Sequence, residues 1–315
     1  MPVNLNETLS EYSYGFGATL EVCNLLRAVG LSVVPYLPNL REEAGLGFDV
    51  AFGNPGRPLF MQFKLGQQLQ RFVGTQMTPT APPHLSRPFW RYQIDTAEPD
   101  GQFDRLVKAE LGGAEVYYVS PRFADWDRYR THFERGAVLE HSLLVTPAEI
   151  LSKLRGSGQP DGRHKIVYGR SNVHVCSQPV RLAQVQPDAM AATIRSELEQ
   201  DPRPLKVTQR EVLSALSRGR DEVVREWSRQ HDDARFTSES TAYSDVPQQV
   251  VSSGSSERMV AQYTGYSDSV LRRRQASMSA LGVISRDGDD AAVSTALGQN
   301  ALMIGAQMVA VTLSD

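Results

Sequence analysis

The runs Phe48-Asp49-Val50-Ala51-Phe52 and Leu59-Phe60-Met61-Gln62-Phe63-Lys64-Leu65 decide how this chain is read. Between them lies Gly53-Asn54-Pro55-Gly56-Arg57-Pro58, a stretch of turn residues. Together they read as the two arms and loop of one β-hairpin. Successive strand side chains point to opposite faces, so Phe48, Val50 and Phe52 share one face and Asp49 lies on the other. On the second arm Met61, Phe63 and Leu65 share a face, with Gln62 and Lys64 opposite. With all six intervening residues in the loop, Phe52 pairs with Leu59 and Asp49 with Gln62. Directly opposed residues hold their Cβ atoms roughly 4.5–5.5 Å apart, so both side chains reach one ion. A slip of one residue would put Asp49 against Phe63 and destroy the arrangement. Buried polar groups are costly unless paired, and a divalent metal and a phosphate are partners that would suit these three.

The rest of the chain sets bounds. Its 315 residues favour two domains over one. A hydrophobic fraction of 41% and a charged fraction of 22% are those of an ordinary globular protein. The net charge of −3 gives no general attraction to nucleic acid, so such binding must come from local patches. Two cysteines far apart, Cys23 and Cys176, exclude a disulfide framework or zinc-finger spacing and fit a reducing cytosol. The N-terminus lacks a signal-peptide pattern. The apolar stretch from Ala301 to Leu313 is too short to span a bilayer. A cytoplasmic protein without membrane attachment is the expectation.

Apolar periodicity predicts a helix over 14–30, with Ala18, Val22, Leu25, Leu26 and Val29 on one stripe and Gly30 as its stop. Strands follow at 31–37, 116–119, 142–145, 166–168 and 173–176. Helices are expected at 102–111, 126–134, from Pro147 onward, and at 209–216 and 221–230. The Gln-, Pro- and Thr-rich stretch 66–99 reads as a long loop. Alternating helices and strands argue for a mixed α/β domain over 1–185. Beyond residue 185 the composition turns Ala-, Arg- and Glu-rich, which predicts a mainly helical second domain over 186–315. The Ser- and Gln-rich stretch 237–256 reads as linker.

Asp49 can supply a hard carboxylate ligand, and the side-chain oxygen of Gln62 a weaker one. Mg²⁺ is commonly held by only one or two carboxylates plus water and phosphate. The metal would acidify a bound water, and Lys64 would orient that water or balance charge on the phosphate. A second carboxylate is expected from the first helix. Glu21 lies about 40° from Leu25 on the helical wheel, at the edge of the apolar stripe. It reads either as a ligand or as a plain surface glutamate. Glu11 is a weaker candidate for the same role.

This pattern resembles the PD-(D/E)xK nuclease superfamily, in the Mrr-like variant with Gln in the second motif. Gly47-Phe48-Asp49 matches the first motif and Met61-Gln62-Phe63-Lys64 the second, with Glu21 at the extra acidic position on the preceding helix. The resemblance covers roughly residues 14 to 125. It implies a restriction-endonuclease-like mixed sheet flanked by helices, and DNA cleavage dependent on Mg²⁺ or Mn²⁺. Asp49, Glu21 and Gln62 would hold the metal, and Lys64 would serve the attacking water. No proline precedes Asp49, and Gln62 lowers the ligand charge, so a non-catalytic DNA-binding or assembly protein on the same scaffold stays open beside the nuclease.

Two further regions bear on DNA. In the 66–99 stretch, Arg71, Arg87 and Arg91 are placed to meet phosphates. Trp90 and Tyr92 could stack on bases, or Phe89 and Trp90 could anchor the core. Near the C-terminus, residues 257–300 look like a winged helix-turn-helix whose recognition helix carries Arg272, Arg273 and Arg274. Against that, residues 186–315 hold 14 basic and 18 acidic residues, a net of −4, and winged helices also bind proteins. The six histidines show no metal spacing, and no P-loop or nucleophile elbow is present. The reading is a metal-dependent endodeoxyribonuclease. By analogy it serves restriction or antiviral defence, beside partner proteins of such a system, and cuts two strands as a homodimer.

Overall fold

The structure, a computed structural model, describes residues 9–36, 55–75, 79–231, 296–297, 300 and 306–313. The first helix, α1 (Glu11–Ala28), starts where the Ser10 hydroxyl accepts the Ser13 amide at 3.0 Å. It stops at Gly30, whose φ of +81° suits glycine. Then come β1 (Leu31–Tyr36), β2 (Gly56–Phe63), β3 (Gln67–Leu69) and β4 (Phe89–Asp95), followed by α2 (Gln102–Leu111) and β5 (Glu115–Pro121). Asp125 caps α3 (Trp126–Glu134), and after β6 (Ser142–Val145) Thr146 caps α4 (Pro147–Gly156) with a proline in its first turn. Strands β7 (Arg163–Tyr168), β8 (Val173–Cys176) and β9 (Val180–Arg181) precede α5 (Pro187–Gln200), α6 (Leu205–Ser217) and α7 (Arg220–His231), and β10 (Ala306–Leu313) comes last. The protein is mixed α/β.

These strands form two five-stranded sheets. The first has the order β1-β10-β2-β5-β6, with β2 and β5 parallel and the other pairs antiparallel. It is the mixed sheet expected. The second, β3-β4-β7-β8-β9, is antiparallel throughout. On one face of the first sheet, Leu59, Met61, Phe63, Val309 and Val311 pack against Tyr14, Val22 and Leu26 of α1 and Ile194 of α5. A Cβ on Gly15 would come within 2.8 Å of the Phe63 ring, so glycine is what lets α1 lie this close. From the other face, Phe60, Tyr118 and Met308 meet Tyr92, Ile166 and Val175 of the second sheet, with α2, α4 and α6 closing the layer.

Three sequence expectations change. The stretch 66–99 is not one loop: it carries β3 and β4, whose Trp90, Tyr92 and Ile94 enter the core between the sheets. Phe89 and Trp90 are therefore core anchors. Residues Gly56 to Pro58, expected in a loop, open β2. The boundary at 185 is not a break in packing. Met190 and Leu198 enter one core, while Val212, Leu213 and Met308 enter the other. Among the described residues no helix is long and apolar enough to cross a membrane.

Helix α2 carries an ionic cluster inside the protein. Lys108, fully enclosed, pairs with Asp100 and with Asp104 at 3.3 Å, and donates to the Arg218 carbonyl at 3.0 Å. Arg220 meets Asp104 at 3.5 Å and Asp161 at 2.6 Å. Arg105, also enclosed, donates to Asn300 at 2.7 Å. Each buried charge faces an opposite charge or a polar oxygen, as burial demands.

Candidate functional site

At Gln62 the described partners of β2 are other strands than the expected hairpin arm. Both flanks of β2 are occupied at Gln62, by Ala306 of β10 on one side and Tyr118 of β5 on the other. A strand has only two edges, so β2 has none left at Gln62. Asp49 and its arm, 48–52, lie outside the described residues. Arg272, Arg273, Arg274 and nearly all of 257–300 lie outside them as well.

Gln62 is buried, 2% exposed, on the face of β2 that looks toward the second sheet. Its Nε2 donates to the Phe63 carbonyl at 3.0 Å, while its Oε1 has no hydrogen-bond partner among the described residues. The Tyr92 and Tyr118 hydroxyls, in the same layer with ring centroids 6.0 Å apart, are also enclosed without partners. Two residues on, Lys64 stands half-buried where β2 ends, its amide bonded to the Val119 carbonyl at 3.0 Å. The Ser120 hydroxyl donates to the Lys64 carbonyl at 2.5 Å and lies 2.6 Å from the Tyr168 hydroxyl. Burial lowers the Lys64 pKa below the usual lysine range, and the carboxylate of Glu11 opposes that shift. Burial in turn raises the Glu11 pKa, with Lys64 opposing. The weaker sequence candidate, Glu11, is thus the acid that Lys64 feels.

Glu21 is engaged elsewhere. Its two oxygens accept the Val138 and Leu139 amides at 2.8 Å each, holding the turn after α3 against α1. That is the work of a structural glutamate. Arg71 and Arg87 are exposed in the β3–β4 connection, and Arg91 on β4 donates twice to Gln67 Oε1, at 3.1 and 2.9 Å.

Comparison with other proteins identifies nothing. The chain matches no protein-family model, no curated protein sequence and no solved structure.

At the opposite end of β2 lies a cleft that no local sequence pattern announces, about 660 Å³ and lined by Arg57, Glu115, Glu197, Arg218, Glu226 and Trp227. Arg57 bridges Glu115 at 3.1 Å and Glu197, and Arg218 pairs with Glu226. Burial and then the Glu197 charge raise the Glu115 pKa. Its charges are matched in pairs across β2, β5, α5 and α7, which reads as structural cross-bracing. Among the described residues no group of three His, Cys, Asp or Glu gathers to hold a metal ion. Both cysteines are buried and free, and burial pushes the Cys176 thiol up to about 12, far from a reactive thiolate.

Proposed function

We propose that this chain is a DNA endonuclease working at the C-terminal end of β2. The observation that carries the reading is the pair Gln62 and Lys64: an enclosed amide oxygen without a hydrogen-bond partner among the described residues, two residues from a half-buried ammonium group where a central strand ends. An ammonium group at such an edge can stabilise charge that develops on a phosphate. Burial lowers its pKa, and the Glu11 carboxylate opposes that shift.

The divalent ion implied by the resemblance needs carboxylates. Gln62 Oε1 suits a ligand role, but Glu21 is taken by two backbone amides, so the described residues by themselves do not make a metal site. In this reading the carboxylate is Asp49. The placement of β10 beside Gln62 favours the second reading, a DNA-binding or assembly protein that keeps the scaffold without the reaction. Homodimer formation and a role in defence against foreign DNA belong to the proposal by analogy alone.

Supercoiled plasmid incubated with the protein and Mg²⁺ or Mn²⁺ separates the two. The wild type is expected to nick or linearise it, and Asp49→Ala and Lys64→Ala to lose on the order of 100-fold or more in rate. Cleavage that survives either substitution unchanged rules out this site. Binding without cleavage by the wild type selects the second reading.

A further inference from the structure

Charge along this chain is unevenly placed. Residues 66–94 and 162–187 hold seven Arg and Lys and no Asp or Glu, while the remaining residues hold 26 basic and 36 acidic, a net of −10. At the chain's average composition those two segments would carry about six acids. They are distant in sequence, yet apart from Asp95, the last residue of β4, they supply every strand of the second sheet.

Alternation separates the faces of that sheet. Trp90, Tyr92, Ile94, Ile166, Tyr168, Val173 and Val175 fill the core between the sheets. Arg91, Arg163, Lys165 and Arg181 therefore lie on the outer face. In register, Arg91 neighbours Val167, which neighbours His174, which neighbours Arg181, with Lys165 beside Cys176 one row over. Asp95 is the acid on these rows, and it sits 3.6 Å from Arg163. Arg91 is held by Gln67, an amide that leaves its charge unneutralised. Burial first, and then the Arg181 charge, lowers the His174 pKa.

Three more arginines, Arg71, Arg87 and Arg170, stand exposed in connections at one end of this sheet. That end is tied together: Asn172 donates to the His84 carbonyl at 3.2 Å, and a Cβ on Gly169 would press on Ser86. It also adjoins Lys64. Ser120 bonds to both the Lys64 carbonyl and the Tyr168 hydroxyl, and Arg122 donates to the Gly169 carbonyl at 2.9 Å. The basic face thus runs toward the end of β2.

We propose that the outer face of the second sheet, from Arg181 and Lys165 through Arg91 to the Arg71, Arg87 and Arg170 end, binds the phosphodiester backbone of DNA and delivers it to Lys64. The inference deepens the nuclease reading and rests on it only for the delivery step. Phosphate contacts carry no sequence information and position the strand. The middle of this face is not open: Phe89, Val167 and Cys176 are buried with Leu69, Phe72 and Leu85 packed against them, and His174 is buried too, so the contacts fall to the basic side chains around that cluster and base stacking is not what this face offers.

The test is fluorescence anisotropy of a labelled duplex of about 24 base pairs, long enough to cross the sheet, in EDTA over 50–200 mM KCl. Wild type should bind with an affinity that falls steeply with salt. Arg91→Ala/Lys165→Ala/Arg181→Ala, with an unchanged melting temperature, should bind at least about tenfold more weakly at 50 mM and lose two to three from the salt slope, about 0.9 per phosphate contact. Arg71→Ala/Arg87→Ala/Arg170→Ala, all at exposed positions, is a second and independent reduction. Arg128→Ala/Arg130→Ala on α3 should change nothing. Absence of wild-type binding at 50 mM overturns the proposal, and so do unchanged affinity and slope in both triple variants. Triple variants that lose binding to anionic phosphatidylserine vesicles while keeping wild-type binding to the duplex overturn it too. Binding without cleavage then sinks the nuclease reading alone, and cleavage with variant-insensitive binding sinks this inference alone.

Discussion

A polar residue in an apolar strand was legible at Gln62, and its burial agrees with that reading. What surrounds it was not legible, because Ala306 arrives from more than two hundred residues away and no local pattern announces it. Glu21 shows the same limit in another form. Its edge position on α1 is visible on a helical wheel, but two amides of a turn over a hundred residues later decide its role. Charge-assisted hydrogen bonds contribute about 1.5–3 kcal/mol each, less where solvent reaches them. Glu21→Ala is therefore expected to cost about 2–3 kcal/mol in urea unfolding, equally with and without Mg²⁺. An unchanged midpoint combined with lost Mg²⁺-dependent activity would restore the metal-ligand role instead.

Elements with strong periodicity or sharp caps were read well. Helices α2 and α3 and strands β6 and β8 have the bounds that the sequence predicts, and α1 starts three residues early because Ser10 caps it. Strand β4 is masked in the sequence by the prolines and threonines that precede it, although Trp90, Tyr92 and Ile94 alternate cleanly. The second sheet that it helps to build holds two nearly enclosed histidines, His164 and His174, whose pKa values burial lowers. Above an unfolded pKa of about 6.5 both are neutral in either state and cost nothing. As pH falls below that value the unfolded chain takes up protons that the folded sheet resists, so stability is lost progressively until the folded pKa values are passed. Urea midpoints measured from pH 7.5 to 5 should decline more steeply in wild type than in His174→Leu. Parallel curves would mean that His174 protonates in the fold without cost.

At the scale of the whole molecule, the change of composition near residue 185 marks where strands give way to helices, not where one core ends. The reason is β10, which lies between β1 and β2 and sends Met308 into one core and Val309 and Val311 into the other. Each fully buried residue of this size contributes roughly 1.5–3 kcal/mol, against a global stability of about 5–15 kcal/mol. A chain ending after residue 295 loses Met308, Val309 and Val311, and with them the hydrogen bonds that join β1 to β2. It is expected to lack a cooperative thermal transition and to be cut rapidly by protease. The fragment 1–185 loses in addition Ile194, Leu198, Val212 and Leu213, and should fare no better. If 1–185 instead melts cooperatively, two independent domains exist and β10 only decorates the first. Failure of both fragments would mean that the sheet bearing Gln62 and Lys64 forms only after its distant last strand has been made, so that the candidate site is assembled late in folding.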